Sequence, residues 1–144
     1  MPWLGTFTVV SLIVLAALVV LFIKTRNKDL VEDLLNKRRP TARLVSRADY
    51  IEGLEKMPVA LALTNDTFYY ENPNLEARFE LNRIEEIEYA TELATGRDIT
   101  HGCRVLRLRS HGTTFEFILS NDDCSKWMAA LPPHRINEEA ARAV

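Results

Sequence analysis

The sequence is poor in the residues that build disulfide frameworks, metal centres and phosphate-binding loops. Its 144 residues include two cysteines, three histidines and five glycines. Two cysteines cannot form a framework of several disulfides, and they are not arranged as the Cys-x-x-Cys pair that often binds zinc. The few glycines form no phosphate-binding loop motif. We therefore predict a chain without metal, cofactor or catalytic activity.

The few reactive side chains still allow one catalytic alternative. Cys103 and His101 could act as nucleophile and base, with Asp98 or Glu92 orienting the histidine. A two-residue spacing of this kind is common by chance. A loop histidine and a half-buried thiol are therefore the interpretation that we prefer.

Charged side chains near the predicted strands also have two interpretations. An acidic run at residues 85–88 could supply catalytic carboxylates, or it could pair with arginines of a neighbouring strand. Arg107 and Arg109 could form a basic patch with Arg97, or Arg107 could pair with Glu116 across a hairpin. An acidic run is usually a solvated face, and this one could also pair with those arginines. For Arg107 we favour pairing, because Glu116 directly opposes it in the hairpin.

Charge is missing from a long N-terminal stretch. From Pro2 to Ile23 there is no ionisable side chain. A helix over Trp3 to Ile23, at about 1.5 Å per residue, is on the order of 30 Å long and matches the hydrocarbon core of a bilayer. The main alternative, a cleaved secretory signal, has a positive start and a shorter apolar core of about 7 to 15 residues. We therefore predict a retained transmembrane anchor over residues 1–23.

Basic residues are concentrated directly after this stretch. Between positions 24 and 47 they outnumber the acidic residues. The positive-inside rule then places the C-terminal side in the cytoplasm, giving a single-pass protein of the inner (plasma) membrane with its N-terminus outside. We expect residues 24–41 to form a basic juxtamembrane helix or linker that ends near Pro40. The residues that we expect to anchor the chain and fix its topology are Trp3, Lys24, Arg26, Lys28, Lys37, Arg38 and Arg39.

The two parts of the chain differ in charge, and this bears on the partners. Residues 24–47 are basic, whereas residues 48–144 carry an excess of acidic residues. Because nucleic-acid binding needs clustered positive charge, we expect no nucleic-acid partner. The basic segment could also attract anionic lipid headgroups, at roughly 1 kcal/mol per basic residue near the surface. The expected partners are the lipid bilayer and a protein of unknown identity.

Short strands are predicted within residues 42–131, which we expect to form the folded domain. The first is a weak strand over Ala42 to Ser46, although residues 40–57 are ambiguous between strand and linker. Apolar and aromatic runs separated by turn residues predict the others. These lie at residues 59–63, 68–71, 78–81 and 84–89, and are followed by a loop at 90–101.

A hairpin over residues 104–120 is the clearest local prediction. His111 and Gly112 form a two-residue turn, which pairs Ser110 with Thr113. In this register apolar residues face apolar residues and arginine faces glutamate, so turn and pattern agree. The core face then consists of Leu106, Leu108, Phe115, Phe117 and Leu119.

A short amphipathic helix is predicted after the hairpin. Ser120 or Asn121 can cap it, and the aspartates that follow suit a helix N-terminus. Residues spaced i, i+3, i+4 and i+7 predict one buried stripe. These are Cys124, Trp127, Met128 and Leu131. Residues 132–144 form a polar tail.

The order of these elements resembles the pleckstrin-homology-like barrel, in which strands in meander order are closed by one C-terminal helix. The resemblance covers about residues 42–131 and is carried by ALTNDTFYY (62–70), RIEEIEY (83–89) and RVLRLRSHGTTFEFILSNDDCSKWMAAL (104–131). It implies a small antiparallel barrel or sandwich closed by a C-terminal helix. With the transmembrane helix predicted above, the expected fold class is α+β, mainly β. Bacterial relatives of that superfold often follow membrane helices. For members that bind phosphoinositides, the resemblance implies a basic loop in the first hairpin. The turn that we expect to correspond to this loop, residues 64–67, is not basic.

From these features we expect a membrane-anchored, non-catalytic interaction module that docks a protein partner on the cytoplasmic side. Two alternatives remain open. The domain could sense anionic lipids, or it could be an accessory subunit of a larger membrane complex held by its anchor helix.

Overall fold

The N-terminal helix is longer than the predicted anchor. The computed structural model describes residues 2–132. Helix α1 spans Pro2–Arg38 without interruption, so the apolar stretch and the basic segment, whose continuity the sequence left open, form one helix. Over Trp3–Arg38 it is long and apolar enough to cross a membrane. Its end at Arg38 agrees with Pro40, which disfavours helical backbone in the residue before it.

Seven strands follow and form one curled antiparallel sheet. They are β1 (Leu44–Glu52), β2 (Glu55–Leu63), β3 (Thr67–Asn72), β4 (Leu75–Glu80), β5 (Ile84–Ala90), β6 (Cys103–Ser110) and β7 (Thr113–Ser120). Their order in the sheet is β4-β3-β2-β1-β7-β6-β5, so β1 joins two meanders. The sheet is a half-barrel with β4 and β5 as its edges. Together with the terminal helices, it confirms the predicted α+β, mainly β class.

The first hairpin differs from the prediction. β1 and β2 turn at Gly53 and Leu54, and Gly53 has a φ of +62° that favours glycine. The weak strand expected over Ala42 to Ser46 was therefore misplaced, since β1 begins at Leu44 and continues to Glu52. Strand β2 does not alternate between buried and exposed residues over positions 59–63. All five are buried there, because α1 covers part of the outer face of the strand. The turn at residues 64–67 thus belongs to the second hairpin.

The hairpin of β6 and β7 has the predicted register. Ser110 pairs with Thr113, and Leu106 pairs with Phe117. The central residues of the turn both have positive φ, 51° at His111 and 72° at Gly112. This is the geometry of a type I′ turn, whose twist matches that of the flanking strands.

The main core lies inside the curl of the sheet and is closed by helix α2 (Asn121–Ala130). Trp127 is fully buried there, its indole nitrogen donates a hydrogen bond to the Ser46 hydroxyl, and its ring lies 5.2 Å from that of Phe68. The predicted cap is confirmed: the Ser120 side chain accepts a hydrogen bond of 3.2 Å from the Asp123 backbone nitrogen.

One residue of the predicted stripe on α2 is not in the core. Cys124, Trp127 and Leu131 are buried, but Met128 is 49% exposed. At 100° per residue Met128 lies at the margin of the stripe, and this short helix contacts the sheet through a narrower face. Residues 133–144 of the predicted tail lie outside the described residues.

Candidate functional site

The C-terminal part of α1 packs on the outside of the half-barrel. Val31 and Leu35 are buried against Ala60 of β2, and Leu34 and Val45 pack around them. The helical residues have the i, i+3, i+4 spacing that brings side chains to one face. The sheet is therefore joined directly to the helix that carries the apolar stretch.

Arg38 completes this junction. Its Nε atom donates a hydrogen bond of 3.1 Å to Glu71 Oε2 of β3, and a second guanidinium nitrogen donates to the other carboxylate oxygen. The guanidinium carbon lies 4.1 Å from the centre of the Tyr69 ring, which adds a cation–π contact. Glu71 is buried, and its hydrogen bond is the main cause of the raised pKa of Arg38. Arg38, expected to act in topology, thus holds α1 on the sheet.

Glu71 was not identified from the sequence. Its position after Phe68, Tyr69 and Tyr70 in a predicted strand was the available signal, because an acidic residue in a buried strand needs a cationic partner. Which of the many basic residues would supply that partner was not readable.

A cleft opens between α1 and the outer face of the first hairpin. Its volume is about 790 Å³. The α1 wall carries Lys24 and Lys28, and the strand wall carries Arg47 and Lys56 with a single acidic residue. We call it the basic cleft; its lining residues are Val20, Ile23, Lys24, Asn27, Lys28, Arg47, Asp49, Lys56 and Pro58.

Two of these cations already have partners. The Arg47 guanidinium donates to the Lys28 backbone carbonyl at 3.2 Å and lies 3.3 Å from Glu32 Oε2. Lys56 Nζ lies 3.3 Å from Asp49 Oδ2. These pairs are roughly half exposed, so each is weak and open to exchange.

The remaining predicted topology residues are spread along α1. Trp3 is 75% exposed at the start of the helix. Arg26 and Lys37 are exposed and do not line the basic cleft. Arg39, just beyond the helix, lies 3.5 Å from Glu32 in an exposed pair. The structure thus brings Lys24 and Lys28 into one site and gives Arg38 a different, structural contact.

The charged residues of β5, β6 and β7 form ion pairs. Arg107 lies 2.7 Å from Glu88 and 3.4 Å from Glu116, which confirms the pairing that we favoured over a basic patch. Arg109 likewise lies 3.4 Å from Glu85 and within 4.0 Å of Glu86. The acidic run on β5 is therefore matched by arginines of the adjacent strand.

The thiols have different surroundings. Cys124 is buried in the main core, and burial raises the pKa of its thiol. Cys103 is half-buried at the start of β6, packed against a small cluster around Leu93 and Val105. His101 lies in the preceding exposed turn. Within residues 2–132 there is no group of three or more His, Cys, Asp or Glu side chains that could hold a metal ion.

Comparison with known proteins gives distant likenesses in fold. No family model matches the chain, and no curated protein matches it. The C-terminal domain of an unknown protein from Leishmania infantum is 14% identical, with 69% of this chain and 94% of that domain covered and a TM-score of 0.49. The hSac2 domain from human phosphoinositide phosphatase Sac2 is 18% identical, with 72% and 78% covered and a TM-score of 0.40. Likenesses at this level assign neither family nor function.

Proposed function

We propose that the chain is a single-pass membrane protein whose half-barrel is a non-catalytic interaction module held at the membrane surface. The observation that carries the proposal is the apolar surface of α1. From Trp3 to Ile23 its large hydrophobic side chains are exposed along the helix. A continuous apolar surface of this length is unfavourable in water and matches the thickness of a bilayer.

Retention of this helix as an anchor is part of the proposal. A signal sequence near an N-terminus can have similar length and composition. Retention is supported by the other half of the same helix, where Val31 and Leu35 are buried on the sheet and Arg38 binds Glu71. Cleavage of a signal sequence would divide a helix whose second part is packed on the domain.

We further propose that the half-barrel is pleckstrin-homology-like, lies in the cytoplasm and belongs to a bacterial inner-membrane protein. The order of two meanders closed by α2 supports the first point. The basic residues that follow Ile23 support the orientation, because positive charge is retained on the cytoplasmic side.

The proposed task of the module is to dock a protein partner. β4 and β5 are the edges of the half-barrel, and edge strands offer backbone groups for pairing with another chain. Beside β4 lies a cleft of about 470 Å³ whose lining includes two arginines and a phenylalanine, residue types that are enriched in protein interfaces. The lining residues are Arg78, Phe79, Glu80, Arg83, Ser110 and His111.

Anchoring and orientation are tested in cell membranes. The full chain should resist extraction by alkaline carbonate, and a reporter fused after Val144 should be active in the cytoplasm. Extraction of the chain would contradict the anchor. A reporter that is active only outside the cytoplasm would contradict the orientation.

Docking is tested by photo-crosslinking in the same membranes. A photoreactive residue at Arg78, on the exposed side of β4, should give a discrete protein adduct. The matched control is Ser125 on the exposed face of α2, where we expect no such adduct. Equal adducts at both positions, or none at Arg78, would contradict docking at this edge.

A further inference from the structure

We propose that the basic cleft binds the phosphate group of an anionic lipid from the bilayer that α1 crosses. This inference rests on the proposed membrane anchorage and adds a binding site to it. It differs from a general attraction of basic residues to the membrane, because it assigns the lipid to two particular lysines and to the hairpin surface facing them.

The position of the cleft along α1 is the first support. Lys24 and Lys28 are four residues apart and so lie on one face of the helix, and Val20 continues that face towards the apolar stretch. The lining thus changes from apolar to cationic within about one helical turn. A bilayer makes the same change where its acyl chains meet its phosphate groups.

The strand wall is the second support. Arg47 and Asp49 are two residues apart on β1, so their side chains leave the sheet on the same face. Asp49 is paired across the hairpin with Pro58, and Lys56 lies two residues before Pro58 on the same face of β2. The hairpin therefore turns its own cations towards those of α1.

Charge is the third support. Lys24 and Lys28 make no ion pair with any residue in the described range 2–132. Arg47 and Lys56 are held by half-exposed carboxylates, which leaves their remaining donors free to bind an anion. Even with Asp49 and Glu32 counted, the site has an excess of two positive charges, which suits a phosphate.

The apolar wall favours a lipid over a soluble phosphate. Val20 and Ile23 are 63% and 52% exposed and belong to the apolar stretch proposed to lie in the bilayer. A lipid whose phosphate lies in the cleft keeps its acyl chains beside these two residues, whereas a soluble phosphate makes no contact with them. The volume of about 790 Å³ is within the range of small-molecule sites and accommodates a headgroup with its glycerol.

The test uses the full chain in nanodiscs that contain equal amounts of phosphatidylglycerol and phosphatidylcholine. Native mass spectrometry after release from the discs measures which lipid the protein retains. We expect the wild type to retain phosphatidylglycerol preferentially. In the double variant K24Q/K28Q, the ratio of retained phosphatidylglycerol to retained phosphatidylcholine should fall by about fivefold for each lysine removed. Both lysines are exposed, so the melting curve of the variant should match that of the wild type.

The matched control is the double variant R26Q/K37Q. It removes the same charge from exposed positions of the same helix that do not line the cleft. The preference for phosphatidylglycerol should fall by at most about fivefold, because Arg26 lies near the surface and Lys37 lies about 21 Å beyond Ile23 along the helix, out of reach of the surface charge. That change is well below the loss expected for two cleft lysines. An equal loss in both double variants would mean that the basic residues act as a diffuse charge, and would overturn the proposal.

Three further outcomes separate the possible failures. If millimolar inorganic phosphate displaces the retained lipid, the cleft is a site for soluble phosphate and the lipid assignment is wrong. If the chain enters nanodiscs and resists carbonate but retains both lipids equally, the cleft proposal fails while the anchor stands. If the chain does not enter the discs, the proposed function itself fails.

Discussion

Replacing Arg38 by alanine tests whether the junction between α1 and the half-barrel is held by a buried ion pair. The variant leaves Glu71 buried beneath α1 without the guanidinium that now satisfies both of its oxygens. Glu71→Gln is the complementary change, because the amide keeps one oxygen as an acceptor for Arg38 and removes the buried charge.

The expected magnitudes differ for the two variants. Breaking a fully buried pair from one side costs about 3 to 5 kcal/mol. The Arg38 side chain is 19% exposed, so water already reaches the pair, and we expect about 2 to 3 kcal/mol for Arg38→Ala. Glu71→Gln should cost about 1 kcal/mol, because Arg38 is partly solvated and also lies 3.7 Å from Glu76.

Urea unfolding of the full chain in detergent micelles measures these differences. Trp127 is buried in the core and reports unfolding by fluorescence, while Trp3 is exposed far away at the start of α1. The measurement is therefore made in a Trp3→Phe background, in which Trp127 is the sole fluorophore of its kind.

Arg39→Ala is the matched control. It removes the neighbouring guanidinium, whose pair with Glu32 is exposed on both sides, and should cost under about 0.5 kcal/mol. A junction held by a buried ion pair is refuted if Arg38→Ala costs no more than Arg39→Ala. It is also refuted if Glu71→Gln is the more damaging of the two junction variants.

Two other predictions concern the core. The Tyr89 hydroxyl is buried without a hydrogen-bond partner among the described residues, so Tyr89→Phe should leave stability at pH 7 unchanged or raise it by up to about 1 kcal/mol. Burial raises the pKa of Tyr89 to about 12. Because the tyrosine of the unfolded chain ionises near pH 10, the wild type loses stability between about pH 10 and 12. Chemical denaturation should show a smaller loss of stability over this range in Tyr89→Phe, and an equal loss would contradict the prediction. Trp127→Phe leaves the buried Ser46 hydroxyl without its donor and opens a cavity, and should cost about 2 to 3 kcal/mol by circular dichroism melting. Met128→Ala on the same helix should cost under about 0.5 kcal/mol, and similar costs for the two would argue against a Trp127-centred core.

The parts of the fold that could be predicted from sequence are those in which local signals agree. In the β6–β7 hairpin, the turn at Gly112 and the alternation on both strands specify the same register. In α2, the cap at Ser120 and the spacing of Cys124 and Trp127 do the same. Each depends on residues close in the chain, so no knowledge of the tertiary arrangement was required.

The parts that could not be predicted depend on distant contacts. In the first hairpin the polar residue Ser46 occupies a core position, which weakens the strand pattern in the sequence. Its hydroxyl accepts a hydrogen bond from Trp127, which lies far along the chain. Lys24, Lys28 and Arg38 looked alike as members of one basic segment. Only the folded chain places the two lysines beside the hairpin and brings Glu71 to the arginine.

Because α1 is continuous, a tilt of the proposed anchor would move the half-barrel with it. From Ile23 to Arg38 the helix extends about 22 Å at 1.5 Å per residue, and the half-barrel packs against the last part of that length, from Val31 to Arg38. Transmembrane helices tilt by about 20° and change their tilt with bilayer thickness. A change of tilt by about 20° at Ile23 would move the Arg38 end sideways by about 8 Å. A thinner or thicker bilayer would thus displace the half-barrel along the membrane surface.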